Sequence, residues 1–235
     1  MVLVVQHGAD DPPLRVGRWL TEQGCELRVV RGYLAEEVPA SLAGHAALVV
    51  LGGAMGAYDD EVAPWLTPTK ALLAEAAARD VPTLAICLGH QLLAVANQGR
   101  VQTQPVHHVG VTPVGLTAAA RMDPLFARLD PDASALHWNN DLVVDAPPGA
   151  VVLARSRFGV QALRLGSSVY GVQFHPEVDV ETVAGWARED VLTGQTTADE
   201  AERELMSLRR SDEQLSKTWR AFTHRFASLL GTGAA

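Results

Sequence analysis

Cysteine is scarce: the chain has two, Cys25 and Cys87, in 235 residues. Two thiols in a chain of this length do not make a disulfide scaffold. The absence of any C-x-x-C spacing also removes the commonest zinc pattern. Neither a metal nor a cofactor is expected. Basic charge is short as well, with 19 Lys and Arg against 27 Asp and Glu and a formal net charge of −8. A nucleic-acid surface needs clustered cations, and the longest basic run, Arg209-Arg210, reads as part of a solvated helix face. No stretch approaches the roughly 20 apolar residues that cross a bilayer. The opening run Val2–Val5 is too short for the core of a signal peptide and reads as a first strand. These absences predict a cytoplasmic protein with no nucleic-acid or membrane partner. There is no internal repeat and no low-complexity tract. Neither the P-loop nor the dinucleotide glycine pattern is present, and no G-x-S-x-G motif marks a serine hydrolase.

What is present is a globular composition, 48% apolar, with strand and helix patterns alternating through the first half. Val2–Val5, Glu26–Val30, Ala46–Leu51 and Thr83–Ile86 read as buried strands. Leu14–Gln23, Pro64–Arg79 and Leu88–Asn97 read as helices between and after them. Such alternation predicts an α/β fold, with a mostly parallel central sheet flanked by helices. The second half changes to short β-type segments at Val101–Thr103, Val109–Val114, Leu142–Val144, Val151–Ala154, Val160–Leu165 and Val169–Phe174. These predict added antiparallel strands. From about Asp179 to Leu230 the pattern is helical, with Ala198–Arg210 and Trp219–Leu230 as its clearest segments. The expected organisation is one domain over residues 1–190 and a C-terminal helical extension over 191–235 packed on it.

Cys87 lies where an apolar strand meets a helix, in Ile86-Cys87-Leu88-Gly89-His90-Gln91. A sharp strand-to-helix turn exposes such a side chain and sets it beside the positive end of the helix, which stabilises a thiolate. Taken alone, a lone cysteine is more often a small buried hydrophobe. Context supplies the functional reading. In Gly171-Val172-Gln173-Phe174-His175-Pro176-Glu177, His175 leaves a strand with Glu177 two positions on. Residues i and i+2 of extended chain point the same way. Glu177 is thereby able to hold one imidazole nitrogen while the other faces a thiol, the arrangement a nucleophile, base and orienting acceptor require. A third strand end carries Leu51-Gly52-Gly53-Ala54-Met55-Gly56. Attack on an amide creates an oxyanion that needs fixed backbone donors, and the N–H groups of Gly53 and Leu88 are the candidates.

In these motifs and their order the chain resembles the class I (triad) glutamine amidotransferases over about residues 1–190. Leu136-His137-Trp138 with Asp141 is similar to a stretch of stand-alone relatives of the GMP synthase glutaminase domain. The resemblance implies a flavodoxin-like sheet of about seven strands. It implies that Cys87 attacks the glutamine side-chain amide, that His175 protonates the departing ammonia and then activates water, and that Glu177 orients His175. By position it implies that Gln91 contacts glutamine and that the backbone at Val109, Gly110 and Val111 receives its α-carboxylate.

The chain departs from those relatives at Asn139 and Asn140, where many have a second histidine and a glycine. Nor does anything after residue 190 resemble an ATP-binding synthetase unit. Two active readings follow. One is a glutaminase that supplies ammonia to an acceptor or synthetase partner. The other is a stand-alone hydrolase of γ-glutamyl peptides or amines. A non-catalytic regulator on the same fold is the third. The C-terminal tail is read as a helix packing back on the sheet, with a docking surface as the alternative. His7, His45, His107, His108 and His224 are expected to be surface or locally hydrogen-bonded side chains.

Overall fold

The computed structural model describes residues 1–230, with the side chains of 104–106 excepted. Five strands form the parallel half of a nine-stranded sheet: β1 (Val2–Gln6), β2 (Leu27–Arg31), β3 (Ala47–Val50), β4 (Thr83–Ile86) and β9 (Val169–Val172). The antiparallel half holds β5 (Arg100–Pro113), β6 (Ser134–Asp145), β7 (Val151–Arg155) and β8 (Val160–Leu165). The order is β2-β1-β3-β4-β9-β8-β6-β5, with β7 on β8. In-register pairs Val5–Val50, Val50–Ala85 and Ile86–Val172 bring the carboxyl ends of β1, β3, β4 and β9 side by side.

Both faces of the parallel half are covered, which is why its strands are apolar throughout rather than alternating. Val2, Val4, Ala47, Val49, Leu84 and Ile86 face one core, shared with α1 (Leu14–Glu22), α4 (Val180–Leu192) and α5 (Ala198–Leu229). Leu3, Val5, Leu48, Val50 and Ala85 face the other, shared with α2 (Leu66–Arg79) and α3 (Leu88–Ala96). The two-residue alternation of a strand assigns each side chain to its layer. Helix α3 packs directly on the sheet: a β-carbon at Gly89 would overlap the Val50 carbonyl oxygen.

Three expectations change. Val101–Thr103 and Val109–Val114 are parts of one strand, β5, irregular in register between Thr103 and His108. Leu142–Val144 is the end of a twelve-residue strand that includes Leu136-His137-Trp138. Ala198–Arg210 and Trp219–Leu230 are joined in a single helix of 32 residues. That helix opens on a capping box, in which Thr197 and Glu200 bond each other's backbone N–H groups. It buries Leu205, Leu208, Leu215, Trp219, Phe222 and Phe226 against the first core.

Candidate active site

Loops following the four adjacent parallel strands converge on one cavity of about 660 Å³. The loop after β1 contributes Gly8 to Asp11 and the loop after β3 contributes Gly53 to Asp59. Cys87 follows β4, and His175 follows β9. This is where open parallel sheets gather ligands. The far wall comes from β5 and β6 (Thr103, His107, Trp138 to Asp141) and from α4 (Trp186, Glu189, Asp190).

Cys87 holds φ 51° and ψ −106°, a conformation that costs a non-glycine residue about 1–3 kcal/mol. Its backbone is fixed on both sides: its N–H donates to Val172 O at 2.8 Å, and its carbonyl accepts from Gln91 N at 3.1 Å. The turn thus orients the side chain, but the thiol is not thrust into solvent. Cys87, His175 and Glu177 are 7%, 5% and 3% exposed, so the expected exposure is replaced by a place on the cavity floor.

His175 Nδ1 donates to Glu177 Oε1 at 2.7 Å, as the i, i+2 spacing predicts. The backbone N–H of His175 donates to Leu136 O at 2.8 Å, and Arg15 N–H donates to Glu177 O at 2.9 Å. The two ends of the H-P-E turn are therefore held by β6 and by α1. The imidazole and the cysteine flank Gly52, where a β-carbon would stand 3.1 Å from His175 Cε1 and 3.6 Å from Cys87 Cβ. Among the described residues no group meets ordinary hydrogen-bond geometry at His175 Nε2, although Cys87 interacts with the ring. Burial works against charge on this ring, but the Glu177 carboxylate, and after it Cys87, outweigh burial and hold His175 well above the ordinary imidazole range.

Gln91 is on the cavity wall, with its amide donating to Asp141 O at 2.9 Å and to Gln173 Oε1 at 3.3 Å. Gln173 in turn donates to Cys87 Sγ at 3.5 Å. Sequence reading gave Gln173 no role. Its place in the motif was visible, but its aim at sulfur depends on the β4–β9 pairing. Gly53 lines the cavity and is packed against Leu88, since a β-carbon there would meet His7 Cβ at 2.8 Å and Leu88 Cδ2 at 3.0 Å.

Val109, Gly110 and Val111 are not brought to the cavity. They pair with Trp138, His137 and Leu136 in the β5–β6 ladder, and Gly110 abuts the Glu204 carboxylate of α5. The β5 residues that do line the cavity, Thr103 and His107, precede them across the register irregularity. His107 is thus a wall residue, with Nδ1 3.8 Å from Asp190. His7 is fully buried and accepts from Trp65 Nε1 at 3.0 Å, while His90 bonds Val160 O at 3.3 Å beneath the sheet.

Two contributions were invisible in the sequence. Trp186 meets the His175 ring edge-on at 5.0 Å between centroids. Trp138 donates from Nε1 to Asp190 at 3.0 Å, tying the β6 wall to α4. No group of three or more metal-ligating side chains converges among the described residues. No helix among the described residues is long and apolar enough to cross a membrane.

Comparison with known proteins adds four findings. A family model described as glutamine amidotransferase class-I matches residues 15–185. The chain is 31% identical over 176 residues to the glutamine amidotransferase-like protein YfeJ of Salmonella typhimurium, covering 72% of each. It is 32% identical over 183 residues to the glutamine-hydrolysing GMP synthase of Clostridium perfringens, covering 76% of this chain and 33% of that one. The crystal structure of a glutamine amidotransferase from Methylobacillus flagellatus superposes with a TM-score of 0.85 at 27% identity, covering 97% of this chain and 94% of that chain.

Proposed function

From the premise that the chain belongs to the class I glutamine amidotransferase family, we propose that it releases the γ-acyl group of glutamine through a thioester on Cys87. His175 takes the thiol proton and gives it to the departing ammonia, then activates the water that frees glutamate. Glu177 keeps His175 oriented and charged when required. The N–H groups of Gly53 and Leu88 receive the oxyanion, at the junction where both residues pack together. Gln91, and with it Gln173, fixes the amide beside the sulfur.

The observation that carries this reading is the buried His175–Glu177 pair at 2.7 Å, with His175 and Cys87 both lining the one cavity and Cys87 acting on the imidazole. The Clostridium relative, a GMP synthase three times as long as the shared segment, supports an acceptor enzyme as partner for the ammonia. One observation favours hydrolysis of a larger γ-glutamyl amide instead. A cavity of about 660 Å³ lies within the roughly 300–1,000 Å³ of pockets that hold drug-sized ligands, which is more room than one amino acid needs.

Glutamate release by purified protein from glutamine and from a panel of γ-glutamyl peptides and amines separates the two. Preference for glutamine points to an ammonia-accepting partner, and preference for a bulkier amide to a self-sufficient hydrolase. Release from none of them, alone or with candidate acceptor enzymes, sinks both.

A further inference from the structure

Helix α5 stands directly behind the catalytic turn. A cleft of only about 10 Å³ separates the two, lined by His175 and Pro176 on one side and by Asp212, Leu215 and Trp219 of α5 on the other, with Arg15 of α1 beside them. His175 lines both this cleft and the substrate cavity. The ring proposed as the general base is therefore packed from behind by an element that reaches no substrate.

Arg15 joins the turn to α5. It is the second residue of α1, so its N–H has no acceptor within the helix. That donor goes to Glu177 O at 2.9 Å. The side chain of the same residue crosses to α5, where Nη2 stands 2.9 Å from each Asp212 carboxylate oxygen and hydrogen-bonds Oδ2. The two side chains are 14% and 30% exposed, so salt screens this pair less than one held in open solvent. Leu14, immediately before Arg15, holds φ 35°, a left-handed conformation that a bulky side chain keeps only where its surroundings enforce it. No side chain caps the start of α1. The entry of α1 is thus held by the Glu177 carbonyl and by Asp212. A second tie between α1 and α5 lies at the far end of α1, where Glu22 accepts from Arg220 at 2.9 Å and bonds His224 at 3.3 Å.

We infer that Arg15 and Asp212 are positioning residues for the general base: their ion pair lets α5 fix the first turn of α1, and the Arg15 N–H lets that turn fix Glu177 and, through it, the His175 ring. This rests on the role proposed for His175 in γ-glutamyl release. Cys87, Gln91 and the donors at Gly53 and Leu88 stand after β3, after β4 and on α3, outside this series of contacts. Loosening the pair should therefore slow proton transfer and leave substrate binding alone, a loss in kcat rather than a rise in KM.

The test pairs steady-state kinetics with proton NMR of the full chain. The Nδ1 proton that His175 shares with Glu177 at 2.7 Å gives a far-downfield resonance, identified by its loss in His175→Gln. In Asp212→Asn that resonance should move upfield or broaden. The kcat for the preferred γ-glutamyl substrate should fall about tenfold, with KM within about twofold of wild type. Arg15→Gln keeps the backbone donor and should reproduce both changes, and the double variant should be no worse than either single one. Asp212→Glu should recover most of the rate. Glu22→Gln breaks the distant tie and should leave resonance and kinetics as they are in wild type. The inference is overturned if the resonance or kcat is unchanged in Asp212→Asn and Arg15→Gln, or if Glu22→Gln alters them as much. If that happens while wild type releases glutamate, the γ-glutamyl reading stands without it. If wild type hydrolyses no γ-glutamyl compound, that reading falls, and the resonance alone decides whether the pair positions His175.

Discussion

Cys87 occupies backbone space that suits glycine, and this separates its structural from its chemical role. Replacement by glycine relieves the φ of 51°, whereas alanine keeps the strain. Cys87→Gly should therefore be more stable than Cys87→Ala by about 1 kcal/mol in urea unfolding, with both inactive. Equal stability would mean that the turn is not strained. For the pair beside it, His175→Ala should cost about 10³-fold or more in kcat and Glu177→Ala about 10²-fold, because orientation is lost before the base itself. The reverse order would remove Glu177 from its assigned role. At this scale much was legible. Cys87 and His175 flank Gly52, and His175 bonds Glu177, because Cys87 and the H-P-E turn follow strands whose apolar runs are plain in the sequence. Val109 to Val111 lie outside the cavity lining, past a register irregularity within β5, and no local pattern encodes that irregularity.

Among the elements, α3 and α5 have the tightest consequences for the site. Gly89 stacks α3 on the β3 backbone, which cannot yield as a side-chain tip can. Gly89→Ala should cost roughly 1–3 kcal/mol and lower kcat by displacing Leu88, and wild-type activity in that variant would refute the packing argument. Helix α5 supports the site from below. Trp219 lies 4.7 Å from Phe174, the residue before His175, and 5.4 Å from Phe222. Trp219→Ala should cost about 3–5 kcal/mol, read as a lowered urea midpoint; a loss under 1 kcal/mol would mark α5 as a loosely attached tail. We accordingly propose that the C-terminal extension, described over residues 191–230, packs on the 1–190 unit as part of its core. The sequence revealed both ends of α5 but not its continuity, because Ser211 to Thr218 places one buried apolar residue, Leu215, in an otherwise polar stretch. Likewise β6 hid behind His137, Trp138, Asn139 and Asn140, which break the apolar alternation of a strand.

Across the whole molecule, buried histidines set the acid limit. Burial lowers His7 and His90 from 6.5 to about 4 and, with Coulombic opposition from the His108 and His175 rings adding to it, lowers His137 to about 3. The unfolded chain takes up these protons first as pH falls. Their contribution to stability is therefore complete above pH 6.5 and is lost as pH drops toward the folded values. Each removes on the order of 1 kcal/mol per pH unit within that window. Asp11, raised to about 6, acts in the opposite sense and offsets one of the three. The urea midpoint should fall clearly between pH 7 and pH 5, and His90→Gln should fall less steeply than wild type; a flat profile would mean that these rings are not neutral in the fold.

The central claim, that Cys87 is a nucleophile aimed at the γ-carbon of a glutamyl group, is tested most directly by labelling with a glutamine analogue whose amide is replaced by a diazoketone. Cys25, half-buried and with its thiol pushed up by burial, is the internal control. The account predicts one label per chain, located by peptide mapping on Cys87, absent from Cys25 and from the Cys87→Ala variant, and slowed by added γ-glutamyl substrate. Labelling of Cys25 at a comparable rate, or Cys87 left unmodified, would contradict it.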